Sequence, residues 1–134
     1  MILSKDIFIG FLLSSKPHIN ITKRHHTPKP TVEHFWLLPV KSREEFYLAF
    51  AEEHCLNFQS NITLTKTKYI RIADRTTLHI LIKMIPPYLI EADQRLDAFC
   101  KIMEIIRMKN HLTQDGLQEI KLLRDKMMKK GEEE

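Results

Sequence analysis

The sequence predicts an α+β domain in which helices pack on one face of an antiparallel sheet. Two pairs of short segments alternate apolar and polar residues, and the members of each pair follow one another closely, as in hairpins. A helical segment precedes each pair, and helical segments fill the rest of the chain. Because hairpin strands pair antiparallel and a sheet needs one covered face, we expect helices on one face and an open second face.

The first predicted element is a helix over residues 4–14, which Ser4 can cap. The segment is apolar on every side, so one side should meet its own domain. The other side is expected to contact a second domain, a second copy or a protein partner, and a helix buried wholly in its own core is the alternative. Gly10 lets another backbone approach closely. The interface candidates are therefore Ile7, Gly10 and Phe11.

The strands and the remaining helices follow from alternation, capping residues and prolines. Strands are predicted over 18–22, 32–40, 58–66 and 68–74. A helix over 42–56 connects the strand pairs, with Ser42 and Glu45 in capping-box spacing. Three helices follow: one capped by Asp74, one over about 91–110, and one capped by Thr113.

The composition indicates one globular domain over residues 1–130 with an acidic tail over 131–134. The chain has 134 residues, 43% of them hydrophobic, and a net charge of +4. The two cysteines, Cys55 and Cys100, form no disulfide framework and indicate a reducing compartment. No apolar run is long enough for a membrane span, and we do not expect a secretory signal in the first residues.

Alternation predicts an open sheet face of amides, hydroxyls and aromatic or basic groups. Ile62, Leu64, Ile70 and Ile72 should point toward the helices. The outward set contains no acid and consists of His18, Asn20, Thr22, Gln59, Asn61, Thr63, Thr65, Tyr69 and Arg71. The segment 32–40 leaves its inward face undecided. Thr-rich faces also occur on sheets that only meet solvent, so this pattern favours nucleic acid without requiring it.

Cations are concentrated at the two strand connections, where phosphate contacts are expected. The phosphate candidates are Lys16, Lys23, Arg24, Lys29, Lys66, Lys68 and Arg71. The candidates for closer contact with the nucleotides are Asn20, Asn61 and Tyr69. The adjacent pair His25–His26 has no spaced partner for zinc, and no glycine-rich phosphate loop is present, so neither a metal nor a cofactor is expected.

Three segments together resemble a single LAGLIDADG homing-endonuclease domain. KNHLTQDGLQEIKLL (109–123) is similar to the HLT-x-x-GL signature that ends many such domains. YIRIADRTTLHILIKMIPPYL (69–89) resembles the family's fourth strand and following helix, and IFIGFLLSSK (7–16) falls where the motif helix belongs. The resemblance implies an αββαββα core, a saddle-shaped sheet that lies in a DNA major groove, and pairing of two domains through their motif helices.

The sequence departs from the family at the catalytic position. Family enzymes carry an Asp or Glu at the foot of the motif helix to hold Mg²⁺, and the alignment places Ser15 there and Lys16 at the final glycine. A hydroxyl is a poor replacement for a carboxylate in binding a hard cation. The basic residue common after the Pro-aromatic-Leu segment is also missing, since Ile90, Glu91 and Ala92 follow. No catalytic residue is therefore predicted.

The leading hypothesis is a catalytically inactive descendant that binds nucleic acid, with RNA favoured over DNA. By family analogy, it would serve as an intron-maturase-like factor or as a component of an organellar ribonucleoprotein such as the mitochondrial ribosome. One alternative is an active Mg²⁺-dependent DNA endonuclease that works as a dimer or with a partner that supplies the acids. The other is a protein-interaction module that uses only the motif helix.

Overall fold

The computed structural model describes residues 4–22 and 31–128. Its elements, in chain order, are α1 (Lys5–Leu13), β1 (Lys16–Thr22), β2 (Thr31–Pro39), α2 (Glu44–Glu53), β3 (Gln59–Leu64), β4 (Thr67–Ile72), α3 (Arg75–Met84), α4 (Pro87–Ala92), α5 (Gln94–Arg107), a 3₁₀ turn (Asn110–Leu112) and α6 (Gln114–Met128). None of the helices in these two ranges is long and apolar enough to cross a lipid bilayer.

The strands form one four-stranded antiparallel sheet in the order β1-β2-β4-β3, which confirms the predicted α+β class. The chain divides into two compact units, and each is described by itself. Unit 1 comprises Met1–His18 and Phe35–Ile85, and unit 2 comprises Ile19–His34 and Pro86–Glu134.

Helix α1 is anchored in unit 1 by an aromatic cluster around Phe8. The ring of Phe8 stacks on Phe50 with centroids 4.2 Å apart and meets Phe58 and Tyr47 at 5.9 Å. Aromatic pairs of this kind contribute about 0.5–1.5 kcal/mol each beyond the burial of their surface. Ser4 caps the helix as predicted, because its Oγ accepts a hydrogen bond from the backbone N–H of Ile7 at 3.3 Å.

Helix α2 begins later than predicted and without the predicted capping box. Its N-cap is Arg43, which makes no side-chain capping bond. Ser42 lies outside the helix at φ 66°, after Lys41 at φ 45°. Two consecutive left-handed residues turn the chain at this point, so the Ser42 side chain is not in position to cap.

Helix α3 begins where the sequence predicts. Asp74 Oδ2 accepts hydrogen bonds from the backbone N–H of Thr77 at 3.0 Å and from its hydroxyl at 2.9 Å. The same hydroxyl, on a residue that is 2% exposed, accepts from the backbone N–H of Asn57 at 2.9 Å. The cap therefore also fixes the segment that leads into β3.

In unit 2, the predicted helix over 91–110 is two helices. Asp93 separates α4 from α5 and caps α5, accepting from the backbone N–H groups of Arg95 at 3.0 Å and Leu96 at 3.2 Å. Thr113 caps α6 as predicted, accepting from the Gly116 backbone N–H at 3.0 Å. The apolar stripe of α5 is buried, namely Leu96, Phe99, Met103 and Ile106. Helices α5 and α6 pack against each other.

Candidate nucleic-acid interface

The β2–β4 pairing decides which residues of unit 1 lie on the open face of the sheet. Trp36 is opposite Ile72 and Leu38 is opposite Ile70, and all four are buried, so they point toward the helices. Successive residues of a strand point to opposite faces, and paired residues share a face. The open face therefore carries the other residues of this pairing and, by alternation along β2, Phe35; the set is Phe35, Leu37, Pro39, Tyr69 and Arg71.

Strand β3 contains a bulge that reverses the faces of its second half. Gln59 is opposite Arg71, but Ile62 is opposite Tyr69, so three steps along β3 match two steps along β4. The extra residue is accommodated at Asn61, which adopts a left-handed conformation at φ 63°. An added residue moves every later side chain to the other face of the sheet.

Because of the bulge, three of the predicted side-chain orientations in β3 are wrong. Ile62 and Leu64, predicted to point inward, lie on the open face, because they are opposite Tyr69 and Thr67. Leu64 is 47% exposed. Thr63, predicted to point outward, is opposite Lys68 and shares its face. The open face of unit 1 is consequently more apolar than the predicted set of amides and hydroxyls.

Side chains from all four strands meet in a row across this face. The His18 ring stacks on Phe35 with centroids 5.0 Å apart and planes 16° apart. The Arg71 guanidinium carbon lies 4.9 Å from the centroid of the Phe35 ring. Arg71 Nη1 donates a hydrogen bond to Gln59 Oε1 at 2.8 Å. We call these four residues the transverse row.

The predicted phosphate contacts have different positions. Lys16, at the start of β1, and Lys66, in the β3–β4 turn, are both exposed. Lys68 shares its face with buried Ile70 and Ile72, and its Nζ lies 2.8 Å from Glu44 Oε2. Lys68 therefore lies on the covered face near the hairpin, and its contact with phosphate stays a prediction.

The β3–β4 turn occupies two residues, Thr65 and Lys66. Their φ angles of 49° and 67° are those of the tight hairpin turn that matches strand twist. The turn was expected around Thr67, which instead begins β4. The turn presents Lys66 at the end of the hairpin.

The three residues predicted to contact the nucleotides closely also occupy positions that differ from one another. Tyr69 is half-buried on the open face, while Asn61 is exposed at the bulge, where regular alternation does not apply. Asn20 is exposed on the part of β1 that belongs to unit 2. The candidates Lys23, Arg24 and Lys29, together with His25–His26, lie outside the described residues.

The foot of α1 is held by internal hydrogen bonds. The Ser15 hydroxyl, half-buried, donates to the Leu12 carbonyl at 2.6 Å and accepts from Trp36 Nε1 at 2.7 Å. Trp36 is 1% exposed, so its indole N–H has little access to water. The Ser14 hydroxyl donates to the Phe11 carbonyl at 2.6 Å. Both hydroxyls are therefore used within the fold.

Acidic side chains are not gathered into a cation site in the described part of the chain. Residues 4–22 and 31–128 contain no group of three or more His, Cys, Asp or Glu side chains placed to hold a metal ion. The sequence supplies no acid between Asp6 and Glu33. The position that the resemblance assigns to a carboxylate therefore offers a hydroxyl that already has two partners.

The helix face predicted to meet a partner is partly open. Ile7 is 53% exposed, and a Cβ added at Gly10 would meet no atom within 4 Å. Phe11 is half-buried, with the Arg43 guanidinium carbon 4.0 Å from its ring centroid and the Tyr47 ring edge-on at 5.9 Å. Burial raises the pKa of the Tyr47 hydroxyl, and the positive charge of Arg43 partly offsets this rise. Two of the three predicted interface residues are thus accessible.

The two cysteines differ in environment. Burial, together with the nearby Asp97 carboxylate, raises the pKa of the Cys100 thiol to about 12, so this thiol is not a nucleophile at neutral pH. Cys55 is exposed after the end of α2. Neither residue lies in the transverse row.

A comparison with solved structures finds homing endonucleases that are similar to this chain. The chain is similar to the homing endonuclease I-TnaI, with a TM-score of 0.75 and 17% identity over 95% of this chain and 89% of that chain. It is similar to the archaeal intron-encoded I-Vdi141I complexed with DNA, with a TM-score of 0.75 and 16% identity over 93% and 82%. No protein-family model and no curated protein sequence matches.

A third similar structure is the LAGLIDADG meganuclease I-CpaMI bound to uncleaved DNA. Its TM-score is 0.71 at 19% identity, over 93% of this chain but 45% of that chain. The chain thus spans most of the first two proteins and slightly less than half of the third. It has the fold of a LAGLIDADG homing-endonuclease domain, which confirms the resemblance seen in its sequence at the level of the fold.

Proposed function

We propose that this protein binds nucleic acid on the open face of its sheet and does not cleave it. The observation that carries the proposal is the transverse row, a preorganised set of ring, guanidinium and amide groups on a homing-endonuclease fold. The open-face residues of unit 1 include no carboxylate to repel phosphate, and the exposed acid of β2, Glu33, belongs to unit 2. Exposed Lys16 and Lys66 provide cations for the backbone.

The absence of cleavage is proposed from the foot of α1. Mg²⁺ requires anionic or carbonyl oxygens around it, and Ser15 offers a neutral hydroxyl. That hydroxyl is already engaged by Trp36 and Leu12. One lone pair of this neutral oxygen remains, and it is a weak replacement for a carboxylate in binding a hard cation.

The finer proposal concerns the ligand. We infer a structured RNA, held in an organellar ribonucleoprotein such as the mitochondrial ribosome or bound as an intron RNA. Its support is analogy: family members have taken RNA roles, and a copy that no longer cleaves has no use as a DNA nuclease. Location in a mitochondrion or another organelle belongs to the same proposal.

The test is filter binding of the full chain to structured RNA and to duplex DNA of equal length. Salt is varied from about 50 to 200 mM, because phosphate contacts give a linear fall of log affinity with log salt. We expect binding to RNA with a steep salt slope. A stronger affinity for duplex DNA across this range contradicts the RNA proposal, and no affinity for either contradicts nucleic-acid binding.

A DNA endonuclease is the second candidate, and two observations favour a DNA ligand. The similar structures I-Vdi141I and I-CpaMI contain DNA. The open face also carries Leu37, Ile62 and Leu64, and apolar side chains can contact the thymine methyl group that uracil lacks. Mg²⁺-dependent nicking of a specific duplex would favour this candidate.

A protein-interaction module is the third candidate, and the exposure of Ile7 beside Gly10 favours it. Charge reversal at Lys23, Arg24 and Lys29 separates it from the first proposal. Loss of RNA binding in that variant supports the nucleic-acid function. If a partner protein still associates and the wild-type chain binds no nucleic acid, the interaction module is the better account.

A further inference from the structure

Arg71 occupies the middle of the transverse row and is held there from two sides. It is paired across the strands with Leu37 on β2 and with Gln59 on β3. The Phe35 ring lies 4.9 Å from the guanidinium carbon, and Gln59 Oε1 accepts from Nη1 at 2.8 Å. His18 stacks on Phe35 and restricts that ring in turn. The long arginine side chain therefore loses little freedom when a ligand arrives.

Most hydrogen-bond donors of Arg71 point to no acceptor in the described part of the chain. A guanidinium has five N–H donors, and the contact with Gln59 occupies one of them. No ion pair with Arg71 occurs within residues 4–22 and 31–128. Four donors remain, and two of them that lie parallel in the guanidinium fork match a pair of acceptors on one ligand.

The surroundings of Arg71 suit a base edge better than a phosphate. Its neighbours on the same face, Leu37, Tyr69 and Ile62, carry no charge, and two of them are aliphatic. The exposed cations Lys16 and Lys66 lie instead at strand ends, where a backbone would pass. Phosphate contacts position a nucleic acid, while contacts to base edges specify its sequence.

We propose that Arg71 reads a guanine base through its N7 and O6 acceptors, and that Phe35 and Gln59 are positioning residues for it. Paired arginine donors and these two acceptors form the commonest specific contact between proteins and base pairs. A duplex exposes N7 and O6 in its major groove, and an unpaired guanine in RNA exposes them in a loop. This inference rests on the proposed nucleic-acid function and adds the base and the residue that reads it.

The experiment selects ligands for the full chain from two random-sequence pools, one of structured RNA and one of duplex DNA. Wild type, R71A, R71K and K66A are compared by sequencing the bound fractions. We expect one position where wild type prefers guanine, and R71A should lower that preference about 5- to 150-fold. R71K should also lower it, because lysine keeps the charge but lacks the planar fork. K66A should weaken binding without changing the preference.

A modified base tests the same contact from the ligand side. In the selected ligand, 7-deazaguanine at the preferred position removes the N7 acceptor. It should weaken binding by wild type and leave binding by R71A unchanged. Thermal unfolding of each variant serves as the folding control, and R71K repeats the test with the charge retained.

The positioning role of Phe35 is tested by a separate measurement. F35L keeps Arg71 but removes the ring beneath it, so the guanine preference should fall while the salt slope stays constant. F35Y keeps the ring and should restore the preference. A purely structural role for Phe35 would instead lower the thermal stability and leave the base preference unchanged.

Two results overturn the inference without affecting the proposed function. One is nucleic-acid binding with no guanine preference that depends on Arg71. The other is a uniform loss of affinity in R71A, with a salt slope smaller by about 1 and full recovery in R71K, which identifies a phosphate contact. If neither pool binds, the proposed function itself is wrong, and the inference fails with it.

Discussion

The foot of α1 and the open face of the sheet both belong to unit 1, but they use their polar groups in opposite ways. At the foot, the hydroxyls of Ser14 and Ser15 are used by hydrogen bonds within the chain. On the open face, Arg71 is held in place by one hydrogen bond and one ring, and most of its donors meet no acceptor within residues 4–22 and 31–128. The polar groups at the foot are therefore committed to the fold, whereas Arg71 can still donate to a ligand.

Substitutions on the two faces of α1 should differ most in their effect on the free energy of unfolding. Phe8 is fully buried among aromatic rings, and truncation of such a residue costs about 3–5 kcal/mol. F8A should lower the free energy of unfolding, measured in urea, by that amount. I7A is the control, since Ile7 is 53% exposed and should change it by no more than about 0.5 kcal/mol. Equal losses would place Ile7 in the core and contradict an open helix face.

Removal of the Ser15 hydroxyl tests whether the foot is structural. S15A removes the Ser15 Oγ that accepts from the buried Trp36 indole N–H and should cost about 1–3 kcal/mol of unfolding free energy. Nucleic-acid affinity should not change. S14A, which removes an exposed hydroxyl, is the matched control and should stay within about 0.5 kcal/mol. Lost affinity in S15A at unchanged stability would mean that the foot belongs to the binding surface.

The bulge can be tested at Asn61. A φ of 63° is sterically unfavourable for alanine but not for glycine. N61A should therefore lower the free energy of unfolding by about 1 kcal/mol. N61G should not lower it. If both variants unfold like wild type, Asn61 is not in the left-handed conformation, and the assignment of Ile62 and Leu64 to the open face is wrong.

Substitution of the two lysines at the β3–β4 hairpin should change the salt dependence of nucleic-acid binding to different extents. K66A should reduce the slope of log affinity against log salt by about 1, because Lys66 is exposed at the turn. K68A should leave the slope unchanged and cost at most about 1 kcal/mol of stability, since Lys68 pairs with Glu44. A reversed result would return Lys68 to the phosphate contacts that its sequence suggests.

The order of elements was predictable from the sequence, because local signals determine it. Ser4, Asp74 and Thr113 cap helices as predicted, and β2 and β4 alternate without interruption. The division of the helix predicted over 91–110 had a local signal too. Asp93 lies in the first turn of the predicted helix, and aspartate is a common N-cap residue; in the structure it ends α4 and caps α5.

The composition of the open face was not predictable in the same way. The alternation in β3 looks regular in the sequence, and one left-handed residue reverses it. The only local hint is that asparagine tolerates this conformation. The pairing of Lys68 with Glu44, and the contacts of Arg71 with Phe35 and Gln59, join residues that are distant along the chain. They depend on strand register, which no single segment encodes.

The most direct measurement follows the tightest-bound ligand of the full chain in Mg²⁺ and in EDTA, recording binding and strand integrity together. We expect equal affinity in both buffers and an intact ligand, because the proposed binding by the open face needs no metal and Ser15 offers a metal ion no carboxylate. Specific strand cleavage that requires Mg²⁺ and disappears in S15A would contradict it.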